Sequence, residues 1–196
     1  MTLPSLDDLD TFPKLLLHNA ANWPNAVAMR EKEFGIWNEY GWAACRDRVR
    51  ELALGLLALG VHRGEVVGLI GRNRPNWLWS ELAAHAVGAM SLGIYADVLG
   101  DEAAYLIRYA DCVTVFAEDE EQVDKLLNLA DRAPHLKHIV YSDPRGMRKY
   151  DDPRLMEASK LAKLGRERAA REVDLYDKLV DATKGEDCAI LCTTSG

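Results

Sequence analysis

The sequence lacks the features that mark metal-binding, membrane-spanning and nucleic-acid-binding proteins. Its four cysteines form no C-x-x-C pair and no histidine cluster accompanies them, so no zinc site is predicted. No run approaches the ~20 apolar residues of a membrane span. The acidic N-terminus, MTLPSLDDLDTF, has no apolar stretch typical of a signal peptide. The net charge of −7 argues against a nucleic-acid surface. We therefore expect a cytoplasmic protein whose thiols are reduced and mostly buried, with peripheral membrane contact and homo-oligomerisation left open.

The centre of the chain, residues 65–95, has the pattern of a strand, a helix and a second strand. Val66 to Ile70 is a short apolar run typical of a buried strand, and Pro75 suits the first turn of a helix. Apolar residues recur along that helix at three- and four-residue steps, and they are Trp77, Leu78, Leu82, His85, Ala86 and Ala89. A second apolar run ends at Tyr95. Two strands joined by a helix predict a right-handed parallel βαβ unit.

The flanking segments extend this alternation of strands and helices. Helices are predicted over 11–22 with Thr11 as N-cap, over 41–59, over 101–110 with Asp101 as N-cap, and over 119–131. Strands are predicted at 26–29 and 34–40, joined as an antiparallel hairpin, and at 112–117 and 138–141. In the helix over 101–110, the side chains expected to face inward are Tyr105, Leu106 and Tyr109. The fold class predicted is α/β, with an open, mostly parallel sheet, helices on both faces, and an incomplete domain.

The composition of the last third of the chain changes twice, first to a highly charged segment and then to an apolar one. Residues 142–185 are rich in charge and predict one or two surface helices, with a basic cluster formed by Lys160, Lys163, Arg166, Arg168 and Arg171. A solvated face is the simplest reading of that cluster, and contact with acidic lipid or coenzyme A is the alternative. Residues 187–192 then predict a buried strand, followed by Thr193, Thr194, Ser195 and Gly196.

This terminal tetrapeptide follows a strand of the predicted parallel sheet. Hydroxyls and backbone N–H groups in a tight turn can surround an anion, and open α/β sheets bind ligands beyond the carboxyl ends of their strands. Residues 193–196 are therefore a candidate phosphate-binding loop. Considered alone, four small polar residues are more simply interpreted as an ordinary turn.

Several motifs resemble the adenylate-forming acyl-CoA synthetases, and most closely their long-chain fatty-acid branch. The segment LGVHRGEVVGLIGRNRPNW (59–77) resembles the family's G-V-x-x-G-D-x-V-x-I-x-x-x-N-x-P-E-W, with Glu65 for Asp and Asn76 for Glu. SLGIY (91–95), EDEEQVDK (118–125) and DPRGMRKYDDP (143–153) are similar to further segments of that branch. CTTSG (192–196) resembles the first half of the signature loop T-S-G-T-T-G-x-P-K.

The resemblance implies a ligase that uses ATP, Mg²⁺ and coenzyme A to convert a fatty acid into acyl-CoA. It assigns the β- and γ-phosphates to Thr193, Thr194, Ser195 and Gly196, and it assigns no catalytic residue or metal ligand within the chain. It also implies that residues 1–196 are the N-terminal part of the AMP-binding domain. The expected divisions are an α/β core at 11–141, a charged helical excursion at 142–185, and a strand leading into the loop at 186–196.

Much of the family's machinery has no counterpart in these 196 residues. The second Gly and the Lys of the loop, the Tyr-Gly-x-Thr-Glu segment, the ribose-binding Asp and the catalytic Lys of the C-terminal domain are missing. We therefore expect the chain alone to be inactive and to depend on the remainder of the enzyme. The alternatives are a non-catalytic interaction domain and a related ligase for another carboxylate. A free-standing dinucleotide-binding domain is disfavoured because the turn after residue 70 lacks G-x-G-x-x-G.

Three side chains in the central stretch have two interpretations each. Arg72 and Arg74, in the loop after the first strand, could attract a phosphate-bearing ligand or be ordinary surface residues. His85, on the apolar stripe of the helix, is interpreted as a hydrogen-bonded packing residue rather than a ligand.

Overall fold

The computed structural model describes residues 8–129 and 132–193, in which helices cover both faces of a six-stranded sheet. The helices are α1 (Phe12–Asn22), α2 (Trp42–Ala58), α3 (Pro75–Ala86), α4 (Gly100–Tyr109), α5 (Glu120–Leu127), α6 (Ala158–Arg171) and α7 (Leu175–Asp181). The strands are β1 (Val27–Glu33), β2 (Ile36–Gly41), β3 (Val66–Gly71), β4 (Met90–Tyr95), β5 (Cys112–Ala117), β6 (His138–Tyr141), β7 (Leu155–Glu157) and β8 (Ile190–Leu191). A short 3₁₀ helix spans Met147–Lys149.

All neighbouring strands of the large sheet are parallel, in the order β7-β6-β5-β3-β4-β8. β1 and β2 form a separate antiparallel hairpin. Its turn is made by Phe34 and Gly35, both with positive φ, as two-residue hairpin turns require. The predicted fold class, an open and mostly parallel α/β sheet with helices on both faces, is confirmed.

β3 lies in the middle of the sheet and supplies both hydrophobic cores. Val67 and Leu69 point into the core that α1, α2, α3, α6 and α7 cover, whereas Val66 and Ile70 point into the core under α4 and α5. Successive side chains of a strand alternate between faces, so a strand buried on both faces must be apolar throughout. The continuous apolar run in the sequence follows from this position.

α6 is not a surface helix lying apart from the core. It buries Leu161, Ala162 and Gly165 against α2. The backbones approach so closely that a Cβ atom added to Gly165 would lie 1.8 Å from the carbonyl oxygen of Glu51. The same charged segment also contributes β7, an edge strand that the sequence did not predict. Its three residues are too few to show a hydrophobic period.

The predicted inward face of α4 is wrong for its two tyrosines, whereas Leu106 packs, partly buried, against the core as predicted. Tyr105 and Tyr109 are 52% and 77% exposed, and their rings stack on each other with centroids 5.7 Å apart. The buried side chains are Ala103, Ala104 and Ile107. Small residues let the helix backbone lie close to the sheet, so the bulky tyrosines take the outer face. The helix also begins at Gly100 after Leu99, so Asp101 lies within the first turn and is not the N-cap.

The stripe predicted for α3 is also wrong in part. Trp79, Ser80, Ala83 and Ala84 are buried, while Leu78 is 38% exposed. Tyr40 explains the orientation, because its ring packs edge-on against Trp79 at a centroid distance of 5.0 Å. Contacts of α3 with the hairpin and α2 therefore determine which of its tryptophans is buried in the core.

Two further local predictions are corrected at helix ends. Thr11 precedes α1 but makes no capping hydrogen bond, and its hydroxyl instead lies 2.8 Å from that of Thr183. α5 ends at Leu127, earlier than predicted, and Asp119 caps it by accepting the N–H of Gln122 at 3.3 Å.

Candidate functional site

Thr193, the first of the candidate phosphate-binding residues, follows β8 at the carboxyl edge of the sheet. β8 pairs in parallel with β4, with Ser91 opposite Ile190 and Leu92 opposite Leu191. Thr193 therefore lies at the edge where β3 and β4 also end, and it is exposed. Thr194, Ser195 and Gly196 lie outside the described residues. The expected position of the loop relative to the sheet thus rests on Thr193 alone.

β8 is shorter and more exposed than the buried strand predicted at 187–192. It holds two residues, Ile190 is 41% exposed, and both Cys188 and Cys192 are exposed. The reason is its place at the sheet edge, where β4 is its one neighbour within the described part of the chain. The expectation of mostly buried thiols holds for Cys45 and Cys112 but is wrong for these two.

A second candidate position at the same edge is the crevice between β3 and β5. The chain leaves β3 towards β4 on one side and leaves β5 towards β6 on the other, and ligands of open α/β sheets bind where the strand order reverses in this way. Here the crevice holds a cavity of only about 30 Å³, lined by Gly71, Arg72, Arg74 and Glu118 among others. Such a space fits about one water molecule and no nucleotide.

The carboxylate of Glu118 accepts hydrogen bonds from the groups of this crevice that could otherwise bind an anion. Glu118 accepts the backbone N–H of Arg72 at 2.5 Å and the Nε–H of Arg74 at 2.8 Å. A second nitrogen of Arg74 donates to Glu31 of the hairpin at 2.9 Å. Hydrogen bonds to Glu31 and then to Glu118 raise the pKa of the Arg74 guanidinium. Arg74 therefore pairs with two carboxylates and links the hairpin to the sheet. The structure does not support a role for Arg74 in attracting phosphate.

This network was not foreseen from the sequence. Glu31, Arg74 and Glu118 lie more than 40 residues apart, and acids at the start of a helix such as α5 are ordinarily explained by the helix dipole. Of the four acids at 118–121, Glu118 alone lies in the crevice, because it directly follows β5.

His85 is a packing residue, as predicted. Its Nε2–H donates to the hydroxyl of Ser91 at 3.1 Å, and that hydroxyl donates to Glu81 at 3.0 Å. Its ring stacks on Phe12 at a centroid distance of 6.3 Å. Burial lowers the pKa of His85, and the nearby Glu81 partly offsets the effect. The neutral imidazole is therefore the favoured form in the fold.

A second cavity, beside His85, lies at the opposite end of the strands. It measures about 490 Å³ and is lined by residues that precede β4 and β8, among them Gly88, Ala89, Cys188 and Ala189. The N-terminal turn of α1 closes one side. Because its position is at the amino ends of the strands, it is separate from the edge that carries Thr193.

The comparisons with known proteins agree with this architecture. The family model described as "AMP-binding enzyme" matches residues 16–196, nearly the whole chain. The chain belongs to the AMP-binding enzyme family.

Curated relatives of this chain include long-chain-fatty-acid–CoA ligases. The long-chain-fatty-acid–CoA ligase ACSBG2 of Xenopus laevis is 25% identical over 195 residues, covering 96% of this chain and 26% of the relative. The long-chain-fatty-acid–CoA ligase ACSBG1 of Bos taurus is 28% identical over 170 residues, covering 86% and 23%. The resemblance to the long-chain branch of the acyl-CoA synthetases is confirmed. The chain spans about a quarter of the length of these relatives.

Solved structures share the fold. Acetoacetyl-CoA synthetase from Streptomyces lividans superposes with a TM-score of 0.66 at 22% identity, covering 76% of this chain and 24% of that one. Coronafacic acid ligase from Pectobacterium brasiliense gives 0.68 at 11% identity, covering 77% and 29%. At these identities the likeness concerns the fold alone. Among the described helices, none is long and apolar enough to span a membrane.

Proposed function

We propose that this chain is part of a fatty acid–CoA ligase that uses ATP. A carboxylate oxygen of the fatty acid attacks the α-phosphorus of ATP, and pyrophosphate leaves as the acyl-adenylate forms. The thiol of coenzyme A then attacks the acyl carbon, loses its proton, and displaces AMP. Both steps need negative charge on phosphate oxygens to be neutralised, which Mg²⁺, cationic side chains and N–H donors supply in such enzymes.

The observation that carries the proposal is the family match over residues 16–196, together with relatives that are themselves long-chain-fatty-acid–CoA ligases. The position of Thr193 beyond β8 supports it, because hydroxyls at this edge suit the binding of phosphate. In the proposal, Thr193, Thr194, Ser195 and Gly196 hold the β- and γ-phosphates. Within residues 8–129 and 132–193 no three His, Cys, Asp or Glu side chains converge, so the proposal gives this part of the chain no metal ligands.

We further propose that the 196 residues alone do not catalyse either step. The groups that would neutralise the phosphates in the family, above all the lysine of the loop, are not in this sequence. Purified 196-residue protein mixed with ATP, Mg²⁺, coenzyme A and a fatty acid is expected to release no AMP and to form no acyl-CoA. Turnover by this chain would refute that part of the proposal.

The decisive experiment reads the coding sequence beyond codon 196 and assays the protein it encodes. We expect Thr-Thr-Gly-x-Pro-Lys or a close variant to follow, and the encoded protein to form acyl-CoA, AMP and pyrophosphate in equal amounts. A panel of carboxylic acids of increasing chain length tests the substrate class. Activity confined to aromatic or short acids would favour a related ligase, and a reading frame that stops at codon 196 would favour a non-catalytic domain.

Thr193 offers a direct test of the loop in the longer protein. Removing one hydrogen bond to a charged phosphate costs about 1.5–3 kcal/mol, so Thr193→Val is expected to lower kcat/KM for ATP about 10- to 100-fold. Ser159→Ala, at the start of α6, is the matched loss of a hydroxyl elsewhere and should leave kcat/KM unchanged. Equal activity of Thr193→Val and the wild type would remove Thr193 from the binding loop.

A further inference from the structure

The two helices α2 and α6 concentrate the positive charge of an acidic chain. They pack directly against each other, although residues 59–157 lie between them in sequence. Together they carry eight Lys and Arg against three Asp and Glu, a net charge of +5. The whole chain has a net charge of −7, so the remaining residues carry −12. The basic cluster visible in the sequence is thus one part of a larger positively charged surface that forms when the helices pack together.

The outer side of α6 presents its cations in one row. Leu161, Ala162 and Gly165 face α2, so Lys160, Lys163 and Arg171 project from the opposite side, and all three are exposed. The row is about 16 Å long, from the helical rise per residue. Within the described residues, Lys160 and Arg171 have no ion-pair partner, and Lys163 has a loose one in Glu167 at 3.9 Å.

Arginines from α2 and α6 extend this row along the helix pair. Arg48 and Arg166 share the single carboxylate of Glu51, at 3.5 and 2.9 Å, so one positive charge of the three groups is left over. Val173, two residues beyond Arg171, has a side chain that is 66% exposed. The row therefore ends at an apolar side chain directly after α6.

We propose that this basic face docks the protein on an anionic lipid bilayer. The basic face is defined as Arg48, Lys160, Lys163, Arg166 and Arg171. Juxtamembrane cations strengthen binding to anionic lipid, long Lys and Arg side chains reach the headgroups, and a neighbouring apolar residue can enter the interface. The carboxylates on the same two helices are Asp47, Glu51 and Glu167, too few to cancel the cations.

The choice of lipid over other anions follows from the proposed function, on which this step of the argument rests. A long-chain fatty acid resides in bilayers, so an enzyme that consumes it gains access to its substrate by binding there. The rest of the chain, at −12, is repelled from an anionic surface, so electrostatics orient the molecule with the basic face towards the lipid.

Vesicle flotation of the 196-residue chain tests the proposal without requiring catalysis. Wild-type protein is expected to bind vesicles of phosphatidylcholine mixed with phosphatidylglycerol at low salt and to dissociate from them at high salt. It is not expected to bind vesicles of pure phosphatidylcholine. Each cation near an anionic bilayer strengthens binding about five-fold, so the triple variant Lys160→Gln/Lys163→Gln/Arg171→Gln should bind about 100-fold more weakly.

A matched variant separates the basic face from net charge. Arg108, Lys137 and Lys149 are exposed cations outside the two helices, and replacing all three by Gln changes the net charge equally. This control should bind the anionic vesicles nearly as well as the wild type. Equal weakening of both triple variants, no binding by the wild type, or tighter retention of duplex DNA than of vesicles would overturn the proposal. Because the assay contains no ATP or coenzyme A, these results stand apart from any failure of the proposed ligase function.

Discussion

The contact between α2 and α6 depends on two glycines, and Gly165→Ala should expose that dependence. A Cβ at Gly165 would lie 1.8 Å from the carbonyl oxygen of Glu51 and 3.0 Å from the backbone nitrogen of Gly55. Both are backbone atoms, so no side chain can rotate away to make room. Carbon and oxygen normally approach no closer than about 3.3 Å, so the helices would have to separate by about 1.5 Å.

Two effects of opposite sign decide the magnitude. Alanine is a better helix former than glycine by about 1 kcal/mol. Forcing a methyl group into a tightly packed contact costs about 3 kcal/mol, because separation by 1 Å already forfeits up to half of the dispersion attraction across the interface. The net expectation is a loss of about 2 kcal/mol of unfolding free energy. For a chain of this length, that corresponds to a decrease in Tm of about 4–8 °C.

The assay is urea denaturation followed by far-ultraviolet circular dichroism, with Gly100→Ala as the matched control. A Cβ at Gly100 would meet nothing closer than a methyl carbon of Leu129 at 3.9 Å, so this variant should be neutral or slightly stabilising. Gly55→Ala, whose Cβ would lie 2.5 Å from the carbonyl oxygen of Leu161, should destabilise as well. Its effect should add only partly to that of Gly165→Ala, since one separation of the helices relieves both clashes. A Gly165→Ala protein as stable as the wild type would refute the reasoning.

Three further predictions concern thiols, a histidine and an ion pair. Two thiols should react quickly with Ellman's reagent at neutral pH and two only after unfolding, the fast pair being Cys188 and Cys192 and the slow pair Cys45 and Cys112. Burial raises the pKa of Cys112 to about 12, and four equally fast thiols would contradict the packing. The free energy of unfolding should fall as the pH drops through about 6.5, by up to about 1.4 kcal/mol per pH unit. The reason is that burial lowers the pKa of His85, so the unfolded chain binds a proton at a pH at which the folded chain does not. His85→Gln should flatten this dependence of the unfolding free energy on pH, measured by urea denaturation. Arg74→Met should lower the free energy of unfolding by about 1 kcal/mol because it leaves Glu118 without its guanidinium, and an unchanged denaturation midpoint would show that the pair is neutral.

The fold class and the order of the central elements could be predicted from the amino-acid sequence. β3, β5 and β6 were predicted to within a residue or two, because a strand covered on both faces must be apolar throughout and therefore stands out from its surroundings. The motif at residues 59–77 likewise indicated the family, since its spacing reflects the turn between β3 and α3. The position of Thr193 beyond a strand of the sheet was also predictable from the chain alone.

Which helix faces are buried and which charges are neutralised could not be predicted, because both depend on how distant elements pack against each other. Tyr105 and Tyr109 share the helical spacing of core residues, yet the sheet accepts the alanines of α4 because they permit a closer approach. In the sequence, Arg74 has the pattern of an exposed and unpaired cation. In the folded chain it forms ion pairs with Glu31 and Glu118, which are distant in sequence. The basic face is a further example. The cations of α6 are visible in the sequence, but the face extends onto α2 only because Gly165 allows the two helices to pack closely.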